Sequence, residues 1–411
     1  MWLLLQLLPV QHSDKRFNIL IMFFYIQIIL LGVASIALLL LYLLRWRDYT
    51  LPQKCKCQPK TVKEEKPKIS VIIPVSKEAI LLERNLPYIL KQKYPSFEVV
   101  VVNIASNAET SDVLKRMEAK YRNLRHTFVP TTSRYIDKQK LALTLGIRAA
   151  HSEWCLLTAP DCRPISDLWL ETMSQNLKPI TIGYANYIDD GSSLARRAIY
   201  ERLCAQLRIL RAGARGKACG ADGTNFITSK QFFLDNHGFA GSLELPFGSC
   251  ALLVDQLATK ENASFIWDTR ATMLQELPNA SVLNKERMYS TAIRKHLSKN
   301  AHWWRLREAF ASWATYLFLL TESTYIASRI YESTIAEAYE LIHLLTDIFS
   351  LILLVCWIIT PIILFRQLTK QLELRKYGVS LHLYAILQPF RTFINKIRSL
   401  RHQEDFVRPI I

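Results

Sequence analysis

Leu156-Leu-Thr-Ala-Pro-Asp-Cys-Arg-Pro164 is the stretch that decides the fold. Trp154 to Leu157 is a short apolar run of the kind that forms a buried strand. Ala159-Pro160 stops the run and presents Asp161 just past its end. In open α/β sheets, ligands bind in the crevice beyond the carboxyl ends of the strands. A carboxylate there can hold a divalent cation against a phosphate. An aspartate beside a proline is also an ordinary turn residue, so its neighbours decide.

Working outward, Ile69 to Pro74 and Phe97 to Val102 are buried-strand patterns, and Leu124 to Pro130 is a third. Between them Ala79 to Gln92, Ser111 to Tyr121 (capped by Ser111) and Lys138 to Ala150 read as helices. Downstream come a helix over Asp167 to Asn176, a strand over Ile180 to Tyr187 and an arginine-rich helix over Leu194 to Arg215. The basic face of that last helix reads as solvated. Gly220 to Asn225 is a loop, and Lys230 to Asn236 and Gly248 to Lys260 carry short helices. Alternating strands and helices predict an α/β domain, a mostly parallel sheet with helices on both faces.

The 411 residues carry 52 Lys+Arg against 35 Asp+Glu, a net charge of +17. That excess suits anionic lipid or phosphate-bearing ligands, while no motif interleaves aromatic and basic residues as nucleic-acid binding would require. Half the residues are hydrophobic, and mean hydropathy is +0.09; long apolar runs account for it. Met1 to Val10 is too short to span a bilayer. Ile19 to Leu44 gives 26 positions without a charge, more than the ~20 a spanning helix needs. Eight basic residues lie between Leu44 and Lys68 inclusive, against Lys15 and Arg16 before the helix, a bias that puts the chain after Leu44 in the cytoplasm. Ile348 to Phe365 reads as a second span, and Ala309 to Ala327, with Glu322, as a weaker one. An acidic connection before Ile348 and a basic tail after Arg366 fit two C-terminal passes; the alternative is one pass, with Trp303 to Leu345 lying on the surface. The expected layout is an N-terminal segment 1–18, a transmembrane helix 19–44, a basic linker 45–68, an α/β domain 69–300, membrane-associated helices 301–365 and a basic cytoplasmic tail 366–411. Eight scattered cysteines do not make a disulfide framework, and Cys55 and Cys57 lack a second pair at zinc spacing.

Lys68-Ile-Ser-Val-Ile-Ile-Pro-Val75 resembles the opening strand of the family 2, GT-A fold, inverting glycosyltransferases. Gln92-Lys-Tyr-Pro-Ser-Phe-Glu-Val-Val-Val-Val102 is similar to their "Q-x-Y-P-x-F-E-V-I-V-V" segment. Lys140-Leu-Ala-Leu-Thr-Leu-Gly-Ile147 resembles their "K-x-x-A-L-N-x-G-I" helix, and Thr158-Ala-Pro-Asp-Cys162 falls where they have "T-D-A-D-C". Gly223-Thr-Asn225, Phe232-Phe233 and Gly238-Phe239 follow the membrane-bound branch. The resemblance runs from about Lys68 to Arg294 and implies a GT-A-like α/β fold with transmembrane helices at both ends.

It also implies nucleotide-sugar binding by Pro74, Val75, Asn103, Lys140 and Asp161, with Asp161 holding Mg²⁺ or Mn²⁺. Lys140 would orient Asp161 or contact a phosphate. Three family carboxylates are missing. The acid after the second strand is Ile104, the first acid of the Asp-x-Asp pair is Ala159, and the acceptor-side "G-E-D-D" reads Gly248-Ser-Cys-Ala251. The downstream "Q-x-x-R-W" position falls near Asn284-Lys-Glu-Arg-Met288. Asp255, Asp222 and the Asp189-Asp190 pair are the acids that could replace the lost general base, Asp255 and Asp222 foremost. Two readings stay open. One is a plasma-membrane, multi-pass glycosyltransferase with its domain in the cytoplasm, moving a sugar to a cell-surface or lipid-linked glycan. The other is a catalytically inactive relative serving as a binding or scaffold subunit beside glycan-assembly partners.

Overall fold

A computed structural model describes residues 11–50, 66–104, 108–130, 137–243, 245, 247–335 and 341–401. Met1 to Val10, Cys55 and Cys57 with most of the linker, Ser106 and the end of the tail lie outside them. The chain divides into two compact units, 1–47 with 306–366 and 377–389, and 48–305 with 367–376 and 390–411.

Helix α1 (Gln11–Leu44) begins the first unit. The second unit holds β1 (Ile69–Val75), α2 (Ala79–Leu90), β2 (Phe97–Asn103), α3 (Ala108–Lys120), β3 (Leu124–Phe128), α4 (Lys138–Ala149) and β4 (Trp154–Leu157). Then come β5 (Cys162–Pro164), α5 (Trp169–Met173), β6 (Ile180–Gly183), β7 (Ala185–Tyr187), α6 (Ser193–Ala214), β8 (Phe226–Ser229), α7 (Lys230–Asp235) and α8 (Ser249–Leu257). β9 (Ala263–Ile266), β10 (Met273–Gln275) and α9 (Ala280–Ala292) complete it. The main sheet runs β3-β2-β1-β4-β8-β6-β9. Its pairs are parallel except the two that β8 makes with β4 and β6. The fold is therefore the mixed α/β class that the alternation predicted, with a mostly parallel sheet.

The unbroken apolar run of β1 follows from burial on both faces. Val71 and Ile73 join Leu82 and Leu86 of α2 and Leu114 of α3 in one core. Ile72 joins Ala142, Leu143 and Ile147 of α4 in the other. The polar residues of the Gln92 to Val102 segment are staples. Gln92 Nε2 donates to the carbonyls of Tyr88 (3.0 Å) and Ser166 (2.9 Å), and Tyr94 Oη to that of Pro67 (2.6 Å). Glu98 accepts from Ser70 Oγ on β1 (2.6 Å), Arg125 Nε on β3 (2.9 Å) and the His151 amide (2.7 Å). Burial raises its pKa, but these donors outweigh that and hold the carboxyl below its ordinary range.

Three local expectations are corrected. Ile180 to Tyr187 is two strands, because the chain leaves the main sheet at Tyr184 and enters a second sheet, β5-β10-β7. Asn225 stands at that break, donating to the carbonyls of Tyr184 (2.8 Å) and Ala271 (2.9 Å) while accepting from Trp169 Nε1 (3.2 Å). Ser111 lies inside α3, not at its cap, and accepts from Asn103 Nδ2 at 3.2 Å. The arginine face of α6 is not simply solvated: Arg211 is buried against Asp48, and Arg202 is partly buried and paired with Asp222.

The first unit contains α1, most of α10 (Lys299–Ile335), α11 (Leu341–Gln371) and the start of α12 (Ser380–Arg401). Leu31, Ala34 and Ala37 of α1, Phe318 and Tyr325 of α10 and Leu353 of α11 form its core. Among the described residues two helices, Met22–Thr50 and His343–Gln371, are long and apolar enough to cross a membrane.

Candidate functional site

β1 pairs in parallel with β2 and β4, so their carboxyl ends lie side by side, where an open α/β sheet has its crevice. Val75 closes β1, its carbonyl accepting from the Ile104 amide at 2.7 Å, and Pro74 precedes it in the same buried strand. Asn103 ends β2 with its Oδ1 buried and unpartnered. Thr158 Oγ1, just after β4, is also buried without a partner, as is Oδ1 of Asn85, whose Nδ2 reaches the Pro160 carbonyl at 3.4 Å. Buried polar atoms are paired in the great majority of cases, so orphans gathered at strand ends mark a place for ligand polar groups.

Asp161 leads from this crevice into a polar chain. Its Oδ2 accepts from Gln275 Nε2 at 2.8 Å, and Oδ1 lies 3.5 Å from Cys162 Sγ. Burial pushes its carboxyl above the ordinary range; the Gln275 and Cys162 hydrogen bonds and the Arg202 charge only partly oppose this. Gln275 Oε1 in turn accepts from Arg202 Nη1 at 2.5 Å. Arg202 grips Asp222 through Nε (2.7 Å) and Nη2 (2.6 Å), reaches Thr224 Oγ1 at 2.9 Å and lies 4.5 Å over the Tyr187 ring. Tyr187 Oη donates to Glu286 Oε2 at 3.2 Å. Tyr187, Arg202, Asp222, Gln275, Glu286 and Arg287 line a cavity of about 340 Å³. Asp161 sits one hydrogen bond behind its wall.

The acids around Arg202 differ in charge state. Burial alone would raise Asp222, but the Arg202 charge and its hydrogen bonds with Thr224 and Arg202 hold it below the ordinary range. Glu286 has no such direct bond to a cation. Burial pushes it up, and the nearby Asp222 and Asp161 charges push the same way, against the Arg202 charge and the Tyr187 hydrogen bond. Glu286 therefore accepts a proton more readily than Asp222 does.

The other residues singled out in the sequence lie elsewhere. Lys140 is fully buried, and its ammonium donates to the carbonyls of Ser242 (2.5 Å) and Leu245 (2.7 Å). Burial pushes its pKa down to about 8. Asp255 accepts from the amide (2.6 Å) and hydroxyl (2.9 Å) of Ser298 and does not line the cavity, so its bonds are those of a helix-start brace. Asp189 and Asp190 cap a turn through the amides of Gly191 (2.9 Å) and Ser192 (2.8 Å). At the start of α8, Cys250 stands where the resemblance expected an acid. It is buried against the 220–225 loop, and burial pushes its thiol up to about 12.

The donor set fits a resident divalent cation poorly. Among the described residues no three His, Cys, Asp or Glu side chains form a metal-binding group. Asp161 is one carboxyl whose ionisation burial opposes, and Asp222 is spent on Arg202. The proton and binding steps these residues can perform are therefore assigned to the protein's own side chains.

Sequence reasoning missed Arg202, Tyr187, Gln275 and Glu286. Glu286 and Arg287 lie within the Asn284 to Met288 stretch that falls near a family motif, and that is their one signal. Arg202 is hidden by helix periodicity, which does not show that an acid from a distant loop meets it.

Residues 70–181 match the family described as Glycosyl transferase family 2. No curated protein matches the chain. Among solved structures, the mannosyltransferase PcManGT from Pyrobaculum calidifontis, in complex with GDP-Man and Mn2+, is similar at 19% identity and TM-score 0.49, over 81% of this chain and 97% of that one. S. aureus TarS 1-349 is similar at 16% identity and TM-score 0.38, over 82% and 91%. The same protein in complex with UDP-GlcNAc gives 14% identity and TM-score 0.38, over 82% and 92%. The similarity to Glycosyl transferase family 2 therefore spans the chain from β1 into β6.

Proposed function

We propose that the chain is a membrane-anchored glycosyltransferase of this family, binding a nucleotide-sugar donor in the crevice and passing the sugar to a glycan or lipid-linked acceptor. The domain would face the cytoplasm, as the basic residues after Leu44 favour. The observation that carries this reading is the polar chain from Asp161 through Gln275, Arg202 and Tyr187 to Glu286. It joins the donor crevice to a cavity large enough for a sugar. Asn103, Thr158 and the strand ends at Pro74 and Val75 would meet the nucleotide. Glu286 would take the proton of the acceptor hydroxyl, the task left open by Ser249 and Cys250. Any Mg²⁺ or Mn²⁺ would arrive with the donor diphosphate and touch Asp161.

A second reading, a non-catalytic binding or scaffold subunit, is favoured by Ala159 and by the buried, protonated Cys250. One experiment separates them. Detergent-purified full-length protein is titrated calorimetrically with UDP and GDP, with and without Mn²⁺. It is then incubated with UDP- and GDP-sugars while released nucleotide is measured. Micromolar binding with release that Glu286→Gln abolishes supports transfer. Binding without release favours the second reading, and no binding by a folded sample overturns the donor site itself.

A further inference from the structure

We infer that Tyr187 is the positioning residue for Glu286: its hydroxyl holds one oxygen of that carboxylate and leaves the other to the acceptor hydroxyl. The inference rests on Glu286 being the general base, and adds the residue that aims it. Tyr187 Oη donates to Glu286 Oε2 at 3.2 Å, and among the described residues no other side chain hydrogen-bonds Glu286. A glutamate on a helix beside a cavity has rotamer freedom that a general base must lose, since it has to lie within about 2.6–3.2 Å of the proton it removes. One fixed donor on Oε2 removes that freedom while keeping the lone pairs of Oε1 open.

The phenol is fixed in its turn. Tyr187 ends β7 opposite Gln275 of β10, and the Ile188 amide donates to the Gln275 carbonyl at 2.8 Å. Its own amide donates to Asn186 Oδ1 at 2.8 Å. Arg202 lies 4.5 Å over the ring, inside the ~6 Å reach of a cation–π contact, and only 9% of the tyrosine is exposed. Burial pushes the phenol well above its ordinary range, so it remains a donor through the neutral range. In the transfer step the acceptor oxygen bonds the anomeric carbon, its proton passes to Glu286 Oε1, and the nucleoside diphosphate leaves with the electron pair of the broken bond. The Tyr187 bond survives that step, because Oε2 accepts in the ionised and the protonated carboxyl alike. Arg202, Asp222 and Asp161 act on Glu286 through space, and Glu201 and Arg287 share its cavity. Burial does most to raise the Glu286 pKa, and the Tyr187 hydrogen bond is among the contacts that lower it.

The test is Tyr187→Phe, which keeps the ring and its place under Arg202 and removes the hydroxyl alone. Nucleotide release from UDP- and GDP-sugars is measured on the full-length protein in detergent, with water as the acceptor. The expected result is a kcat about 10- to 100-fold lower, with the donor KM within about twofold of wild type. The acid limb of the pH–rate profile should move to higher pH, because the carboxyl loses a donor that favours its ionised form. Melting temperature and calorimetric affinity for UDP and GDP should match wild type, which separates lost aim from lost folding. An unchanged kcat with an unmoved acid limb overturns the proposal and leaves Glu286 as the base. A lower melting temperature, with kcat and KM changing together and the acid limb unmoved, overturns it in favour of a packing role. A folded wild type that releases no nucleotide removes the base and the proposal with it.

Discussion

Arg202 and Asp222 are both largely withdrawn from water, with side-chain exposures of 10% and 22%. Each cancels the other's desolvation, so the pair is stable only as a pair. Arg202→Met should leave Asp222 as an uncompensated carboxylate and cost about 3–5 kcal/mol in urea unfolding at neutral pH. Arg202→Met/Asp222→Leu should recover most of that. Asp222 titrates below its ordinary range in the folded protein, so its contribution is present above the unfolded value and is lost as pH falls through the folded one. The stability gap between wild type and Asp222→Asn should therefore close in acid. Asp161 has the opposite sign. With a raised folded pKa, the native state holds a proton that the unfolded chain has released, and stability falls as pH rises through that window. Asp161→Asn should remove the slope, match or exceed the wild-type melting temperature at pH 7.5, and weaken nucleotide binding in the calorimeter. A residue that costs stability where it sits is one whose place is explained by a ligand. Position made Asp161 legible in the sequence; burial, which decides its charge state, did not show there.

Helix α4 reaches the sheet through Gly146. A Cβ at that position would lie 2.3 Å from Ile72 Cγ2 and 3.1 Å from Val102 Cγ2. Gly146→Ala should cost about 1–3 kcal/mol through overpacking. Its combination with Ile72→Ala should cost less than the sum of the two, because the same methyl group is removed. The glycine of the "K-x-x-A-L-N-x-G-I" resemblance is thus a packing device. The lysine that opens the motif is another, fastening the loop at Ser242 and Leu245. The same holds for Gln92, Tyr94 and Glu98. Motifs on long periodic elements located β1, β2, α4 and β4 well because apolar runs and helix spacing are local signals. β5, β7 and β10 are three residues each, too short to carry a pattern. Their existence depends on Asn225 tying distant carbonyls together, which no local window reports.

At the scale of the molecule, α10 packs in one core with α1 and α11, yet only the latter two meet the hydropathy test for spans. Its polar residues turn inward: Glu322 is buried and accepts from Ser350 Oγ at 2.7 Å, and Thr315 and Thr321 are buried as well. Its exposed positions include Phe310, Trp313, Leu317 and Leu320. A helix with an apolar outside and a polar seam suits lipid while failing an average over all its residues. A cysteine placed between α10 and α11 should react with an impermeant thiol reagent on intact cells. One at Asn395 should react only after permeabilisation, and equal labelling of both would refute a crossing by α10. Strand order has a further consequence, for synthesis. The parallel half, β3-β2-β1-β4, is complete once Leu157 has been made, but β8, which covers the edge of β4, begins only at Phe226. At about 5–20 residues per second the wait is several seconds. Throughout it an apolar strand edge is an open template for neighbouring chains. The amount of usable protein recovered from a cell will then depend on the speed of the ribosome across that interval more closely than on the strength of any contact in the finished fold.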